Sequence, residues 1–219
     1  MLNLQDIIHN EAIKTYITSA DASLKELGFT EHSFAHVNCV SQRVGYILDT
    51  LGYPARTVEL GQIAGYLHDI GNLVNRKDHS QSGAIMAWSI LNDMGCDPAE
   101  IAVIVTAIGN HDEGTGVPVN PVAAALILAD KADVRRTRVR EKDPTALDIH
   151  DRVNFSVTKS ELKINEDKTQ VKLKLTVDTR YGSVMDYFEI FTERMLLCRR
   201  AADRLGLRFC LYINGQQIM

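Results

Sequence analysis

The chain has 219 residues, of which 45% are hydrophobic and 24% are charged, and its formal net charge is -4. This composition is typical of a globular protein and excludes a disordered chain. The slight negative charge excludes a general attraction to long nucleic acids and to anionic membrane surfaces, so any recognition of phosphate has to be local.

The sequence has no apolar run long enough to cross a bilayer, and residues 1–6 lack the basic and apolar regions of a signal peptide. We therefore expect a cytoplasmic protein with no membrane partner. The four cysteines are scattered without C-x-x-C spacing, which favours buried, reduced thiols over a zinc cluster or a disulfide framework at Cys39, Cys96, Cys198 and Cys210.

Residues 3 to about 140 have helical periodicity. In the first segment the apolar stripe includes Ile7, Ile13 and Ile17. Two later helices are predicted to begin at Asp97-Pro98 and Asn120-Pro121, where a polar N-cap precedes a proline in the first turn. The predicted helices after the first span residues 33–50, 57–68, 80–94, 98–108 and 121 to about 140.

The pattern changes after residue 145. Apolar and polar residues alternate over 152–158, 161–164 and 171–177, and turn residues at 165–168 predict a β-hairpin. Residues 185–205 return to helical periodicity, and 207–213 form a last predicted strand. We therefore predict a mainly α protein with a helical domain over residues 1–145. A small α+β appendage over 146–219, an antiparallel sheet with one helix, is expected to pack on that core.

His68 and Asp69 form an unusual polar pair at the end of an apolar run. Adjacent residues on a helix point about 100° apart, so both can face one point only where the backbone bends at a helix end. A metal ion would explain why an imidazole and a carboxylate stand there together.

Four further candidate ligands accompany this pair: His36, His79, His111 and Asp130. Asp130 directly follows the apolar run 123–129, where burial of an unpaired carboxylate would cost several kcal/mol. A divalent metal with neutral imidazoles would compensate that charge in a mixed nitrogen and oxygen shell.

The order His36, His68-Asp69, Asp130 resembles the motif of the HD superfamily of metal-dependent phosphohydrolases, and the additional His79 and His111 resemble its six-ligand variant. Residues 79–85 are similar to the H-P-x-x-G-x-x-I segment of the HD-GYP cyclic-di-GMP phosphodiesterases. Residues 110–118 are similar to their H-H-E…G-x-G-Y-P segment, with Asn110 in place of a histidine and Val117 in place of the tyrosine. The short gap from His111 to Asp130 is closer to the symmetrical dinucleoside tetraphosphate hydrolases. The resemblance covers about residues 30–140.

This resemblance implies an HD-type helical bundle and two divalent metal ions, with Fe, Mn, Mg, Co and Ni all open. One metal would be held by His36, His68, Asp69 and Asp130, and the other by His79 and His111. Asp69 would bridge the two and act as the catalytic carboxylate. A metal-activated hydroxide would then cleave a phosphate mono- or diester, with a nucleotide or dinucleotide as the expected substrate.

Several alternatives stay open. A single histidine is more often a hydrogen-bonded structural residue than a ligand, and His79 also fits a helix start. Some six-ligand HD proteins resemble mixed-valent di-iron oxygenases, and a non-catalytic nucleotide-sensing module is a third interpretation. Asp112 and Glu113 fit either orienting residues beside His111 or solvated loop carboxylates.

Lys131, Arg135 and Arg138 are spaced along one stripe of the predicted helix, where they would either bind substrate phosphate or form a solvated face with Asp133.

We expect a small phosphorylated partner and no long nucleic acid, and we leave a homodimer open. Residues 150–219 would serve as a lid, a dimer contact or a structural cover. Three histidines outside the motif are predicted to be surface residues: His9, His32 and His150.

Overall fold

The computed structural model describes residues 2–141, 143 and 145–219. Its helices are α1 (Leu4–His9), α2 (Glu11–Glu26), α3 (Phe34–Thr50), α4 (Ala55–Leu67), α5 (His79–Asp93), α6 (Pro98–Gly109), α7 (Pro121–Lys131), α8 (Ile149–Ser156) and α9 (Val184–Arg204). Its strands are β1 (Val157–Ile164), β2 (Gln170–Val177), β3 (Arg208–Ile213) and β4 (Gln216–Gln217). Short 3₁₀ helices lie at Ile70–Leu73 and Arg136–Arg138. The protein is therefore mainly helical with a small C-terminal sheet and helix, as predicted.

Both predicted helix starts of the Asx-Pro type are confirmed. The Asp97 side chain accepts a hydrogen bond from the Ala99 amide at 2.8 Å, and the Asn120 side chain accepts one from the Ala123 amide at 2.8 Å. Each cap satisfies an amide that the first helical turn leaves without a partner, and the following proline has no amide to satisfy. Local chemistry thus places the starts of α6 and α7.

Helix α7 is the central helix of the fold. Residues 122–129 are all buried, and the helix contacts α3, α4, α6 and α9. A helix that is apolar on every side is stable only when other elements surround it. The chain therefore brings Asp130, the last residue but one of α7, to the end of a fully enclosed helix.

Helix α7 ends at Lys131, so the predicted extension to residue 140 is wrong. Two hydrogen bonds of Arg138 fix the segment after α7 in a non-helical conformation. Its Nε donates to the Glu31 carbonyl and its Nη1 to the Asp133 carbonyl, each at 2.9 Å. A continued helix would also carry a run of arginines through the enclosed region around α7, at a large desolvation cost. Consequently Lys131, Arg135 and Arg138 do not share one helical stripe.

The C-terminal sheet has the order β1-β2-β3-β4. The predicted hairpin is confirmed, with β1 and β2 antiparallel and Leu162 opposite Leu173. The predicted strand at 152–158 is mostly helix α8, which Asp148 caps by accepting from the Asp151 amide at 2.7 Å. Strands β2 and β3 are parallel because α9 crosses over between them, so the sheet is mixed rather than fully antiparallel.

The helical part and the C-terminal part share one continuous hydrophobic core. One side of α9 is buried and packs on α7 and on the sheet, through residues such as Tyr187, Phe191 and Met195. The division of the chain at residue 145 into two domains stays a prediction. All four cysteines are free thiols, and three of them are buried as predicted, whereas Cys39 is only partly buried. Within the described residues, no helix combines the length and hydrophobicity needed to cross a membrane.

We expect Ile127→Ala, in the middle of α7, to lower the free energy of unfolding by about 2–5 kcal/mol, because the fully buried side chain leaves a cavity. The matched control is Ile85→Ala on α5, where the side chain is 69% exposed and the expected change is within about 0.5 kcal/mol. Urea unfolding followed by circular dichroism measures both. Equal effects of the two variants would contradict the central position of α7.

Candidate metal centre

The His68-Asp69 pair lies at the end of α4, where the helix stops at Leu67. His68 keeps helical backbone angles as the C-cap, whereas Asp69 has left the helix with φ -95° and ψ 2°. This bend turns the two side chains toward each other, so that His68 Nε2 lies 3.2 Å from Asp69 Oδ2. The pair thus lies at a helix end with its two side chains together, and its role in holding a metal stays a prediction.

Gly71 allows the segment after this pair to pack closely on α5. A Cβ atom at this position would overlap the backbone of His79 and Gly83. The 3₁₀ helix can therefore press directly against the first turn of α5, which brings His79 close to Asp69. A residue with a side chain would hold the two apart.

The first group of candidate ligands surrounds His36, which is fully buried on α3. Its Nε2 lies 3.3 Å from His68 Nε2, 3.4 Å from Asp69 Oδ2 and 3.4 Å from Asp130 Oδ1. The ligand atoms of His36, His68 and Asp130 all lie within 4.8 Å of one another. Three elements far apart in the chain thus meet at one point.

The second group lies on the other side of Asp69. His79 Nε2 is 3.2 Å from His111 Nε2 and 3.5 Å from Asp69 Oδ1. The ligand atoms of His68, Asp69 and His111 also lie within 4.8 Å of one another. The two carboxylate oxygens of Asp69 therefore face different groups, Oδ2 toward His36 and His68, and Oδ1 toward His79.

Hydrogen bonds on the far side of each ring fix the histidine tautomers. The Nδ1 atoms of His68, His79 and His111 donate to the carbonyl three residues earlier, at 2.8, 3.1 and 2.6 Å. His36 Nδ1 donates to Asp133 Oδ2 at 2.8 Å. Because these acceptors require a proton on Nδ1, each neutral ring presents the lone pair of Nε2 to the centre.

This donor set fits a divalent cation. Facing lone pairs at 3.2–3.3 Å repel each other unless a positive charge lies between them. Metal–ligand bonds of about 2.1 Å place neighbouring ligand atoms about 3.0–3.4 Å apart, close to the separations found here. Imidazole nitrogens with carboxylate oxygens suit Zn, Fe, Mn, Co and Ni alike, so the set does not choose among them.

The electrostatics lead to the same conclusion. Burial would raise the pKa of Asp69 and Asp130, yet both pKa values lie well below the usual range, chiefly because of His68 beside Asp69 and Lys131 beside Asp130. Burial would lower the pKa of His68, but the two carboxylates outweigh it and raise that pKa to about 10. The ionised carboxylates thus require a cation, either a proton on His68 or a bound metal.

The second group differs in charge. Burial lowers the pKa of His79, and burial together with the charge on His68 lowers that of His111 well below its usual value. Both rings are therefore neutral near pH 7, which is the form that binds metals.

Lys131, Arg135 and Arg138 do not lie together. Lys131 is buried, with its Nζ 2.7 Å from Asp130 Oδ2 and 3.4 Å from Glu113 Oε1. Arg138 lines the same cavity as the candidate ligands, but backbone carbonyls hold its Nε and Nη1. Arg135 is not among the cavity-lining residues, and its guanidinium binds Asp133 at 2.9 Å. Their role in phosphate binding stays a prediction.

Sequence reasoning missed the contact between Asp133 and His36, since it considered Asp133 only as one partner in the solvated-face alternative. The residue is fully buried, where it orients His36 and also binds Arg43 and Arg135. A carboxylate on the far nitrogen of a metal-binding histidine fixes the ring and increases its basicity. The sequence does contain an indication that Asp133 is buried, because its neighbours Ala132 and Val134 are apolar.

His32 also differs from the sequence prediction. It is partly buried, its ring centroid lies 5.5 Å from that of His36, and it lines the cavity. Its amide donates to Asp21 Oδ1 at 2.7 Å, which holds the segment before α3 inward. His9 and His150 are exposed as predicted, although His150 lies at the cavity wall.

A cavity of about 390 Å³ opens over the candidate ligands Asp69, His79 and Asp130. Helices α8 and α9 form the opposite wall, contributing among others Asp151, Asn154, Ile190, Phe191 and Arg194. The C-terminal part is thus one side of the site. A second depression of about 340 Å³ lies on the exposed face of the sheet and contains none of the candidate ligands.

No protein-family model matches the chain. An uncharacterized protein of Methanocaldococcus jannaschii is 24% identical over an alignment of 216 residues, which covers 87% of this chain and 81% of that protein. A crystal structure of a predicted HD superfamily hydrolase from an uncultured Thermotogales bacterium is 22% identical, covers 61% of this chain and 75% of that one, and has a TM-score of 0.45. Similarities this weak assign neither a family nor an activity.

We expect Asp69→Ala to lose all bound metal, because Asp69 faces both groups of histidines. His79→Ala and His111→Ala should lose about half of the metal, whereas the exposed His9→Ala should retain the wild-type content. Elemental analysis of protein purified without chelator measures the content. Full metal in His79→Ala and His111→Ala would contradict a second site, and full metal in Asp69→Ala would contradict the centre itself.

Asp133→Asn should weaken metal binding about 10- to 100-fold, because the amide holds the His36 ring less firmly than the carboxylate does. Asp203→Asn on the exposed side of α9 is the matched control and should have no effect. Competition with a fluorescent chelator gives both affinities. An unchanged affinity in Asp133→Asn would show that the buried carboxylate serves the fold alone.

Proposed function

We propose that this protein is a metal-dependent phosphohydrolase of the six-ligand HD type, which cleaves a phosphate mono- or diester of a nucleotide or dinucleotide. The observation that carries the proposal is the position of Asp69, whose two oxygens face two separate histidine groups. A carboxylate in that position is suited to bridging two cations at a fixed separation.

Two divalent cations would lower the pKa of a coordinated water and neutralise charge on the phosphoryl oxygens. Around them the chain's own residues have distinct tasks. Lys131 holds Asp130 at 2.7 Å, and Asn72 donates to Asp69 Oδ1 at 2.9 Å, so neither carboxylate is free to rotate. Asp133 holds His36 in the same way. A rigid ligand set keeps the reacting groups in line.

The charges around the cavity support a role for cations in substrate binding. Five carboxylates and four permanently positive side chains line it, so the protein alone offers no excess of positive charge. Two divalent cations would reverse that balance and attract a phosphorylated substrate. Metal removal should therefore abolish substrate binding as well as turnover.

The size of the cavity supports a small substrate. A volume of about 390 Å³ lies within the range of about 300–1,000 Å³ found for small-molecule sites. Phe29 and Ile190 line the cavity and offer apolar surface, which suits a base or another flat group. A nucleotide fits this combination of apolar wall and charged floor, and a long nucleic acid does not.

We expect metal-loaded protein to release phosphate from at least one compound in a panel of nucleotides and dinucleotides, and chelator-treated protein to release none. Mn²⁺, Mg²⁺, Co²⁺ and Ni²⁺ are added back separately under anaerobic conditions, and Asp69→Ala serves as the inactive control. Oxygen consumption by iron-loaded protein, without phosphate release, would instead support the di-iron oxygenase. Nucleotide binding without turnover under every condition would support a sensing module.

A further inference from the structure

Arg194 on helix α9 reaches the cavity from the C-terminal part of the chain. Its Nε donates to Glu113 Oε1 at 2.7 Å, and its Cζ lies 4.0 Å from the centre of the Phe191 ring. An ion pair on one edge and an aromatic ring against one face fix the plane of a guanidinium group. The side chain is therefore held in one orientation before any ligand arrives.

The terminal nitrogens of Arg194 are not used by this arrangement. Among the described residues, none accepts a hydrogen bond from Nη1 or Nη2, although the side chain is only 19% exposed. Arginine–carboxylate pairs frequently have two parallel hydrogen bonds. Arg194 instead makes one bond and leaves its other donors at the cavity.

Three other cations in the described part of the chain line the cavity, and each has at least one partner in the protein; Arg76 donates from Nη1 to Asn72 Oδ1 at 3.2 Å. Lys131 binds Asp130 and Glu113, and Arg138 binds two backbone carbonyls. Lys131 and Arg138 each make two such contacts, whereas Arg194 makes one, so fewer of their donors remain for a substrate group. Arg194 is thus better placed for this task than the residues that the sequence suggested.

We propose that Arg194 binds the phosphoryl oxygens of the substrate that point away from the metal centre, and that Glu113 positions it. The inference rests on the proposed function in one respect, the choice of a phosphoryl group as the ligand. A guanidinium matches phosphate with two hydrogen bonds at once, which an ammonium group cannot do. The proposal gives α9 a role in substrate recognition.

The path from Arg194 to the metal centre is short. Glu113 follows His111 by two residues and lies 3.4 Å from Lys131, which in turn binds the candidate ligand Asp130. The carboxylate of Glu113 has a lowered pKa of about 2, since Arg194 and Lys131 outweigh the effect of its burial. An anion held by Arg194 is therefore at the edge of the site where the metal ligands converge.

Isothermal titration of inorganic phosphate into the metal-loaded protein tests the proposal without measuring activity. Arg194→Gln should raise the Kd for phosphate about tenfold or more, because it removes a charge-assisted pair of hydrogen bonds. Arg194→Lys keeps the charge but not the paired donors, and should raise the Kd by a smaller factor. Arg199→Gln removes the same charge from an exposed position of α9 and should leave the Kd unchanged.

Two further measurements distinguish the positioning of Arg194 by Glu113 from the effect of the charge on Arg194. Glu113→Gln retains Arg194 but loosens it, so the Kd for phosphate should rise several-fold. With any substrate found in the phosphate-release panel, Arg194→Lys should raise KM more than it lowers kcat. Metal content is measured for each variant, and Arg194→Lys decides the matter if Arg194→Gln does not fold.

Wild-type Kd values in both Arg194 variants, or no phosphate binding by the wild-type protein, would overturn the proposal while leaving the phosphohydrolase open to its own test. Conversely, phosphate binding that depends on Arg194 in a protein that hydrolyses no ester would support this inference and refute the proposed function. The two can therefore fail separately.

Discussion

The near-complete burial of Asp69 and Asp130 as ionised carboxylates is the constraint on which the rest of the structure depends. Two such charges inside a protein are stable only when positive charge and hydrogen bonds compensate them. Here Lys131 and Asn72 hold one oxygen each, and the imidazoles of His36 and His68 face the others. The fold has gathered these groups at one point, which explains why four separate helices end or begin there.

The orientation of three of the candidate histidines depends on hydrogen bonds to nearby residues of the chain. His68, His79 and His111 each donate from Nδ1 to the carbonyl three residues earlier, next to a helix end. Helix ends leave carbonyls and amides without helical partners, so a ring at this position finds its acceptor nearby. Each ring then presents Nε2 to the centre without help from elsewhere. His36 differs, because it lies within α3 and depends on the distant Asp133.

The C-terminal part is more than a cover for the helical core. Helix α9 buries one side against α7, and its Arg194 and Phe191 face the cavity from the opposite wall. The same helix therefore packs on the element that carries Asp130 and lines the cavity over the candidate metal centre. The roles considered for residues 150–219, a lid, a dimer contact and a structural cover, stay predictions, and the structure adds that this part lines one wall of the cavity.

The sequence alone determined the features that depend on neighbouring residues. The caps at Asp97 and Asn120 and the hairpin around residues 165–168 follow from local backbone chemistry, and the order of histidines and aspartates identified the candidate ligands. Only the tertiary structure decided where α7 stops, that β3 runs parallel to β2, that Asp133 contacts His36 and that Arg194 lines the cavity. Asp133 meets His36 across 97 residues and Arg194 meets Glu113 across 81, and no local pattern encodes contacts at such separations, because they arise only when the core packs.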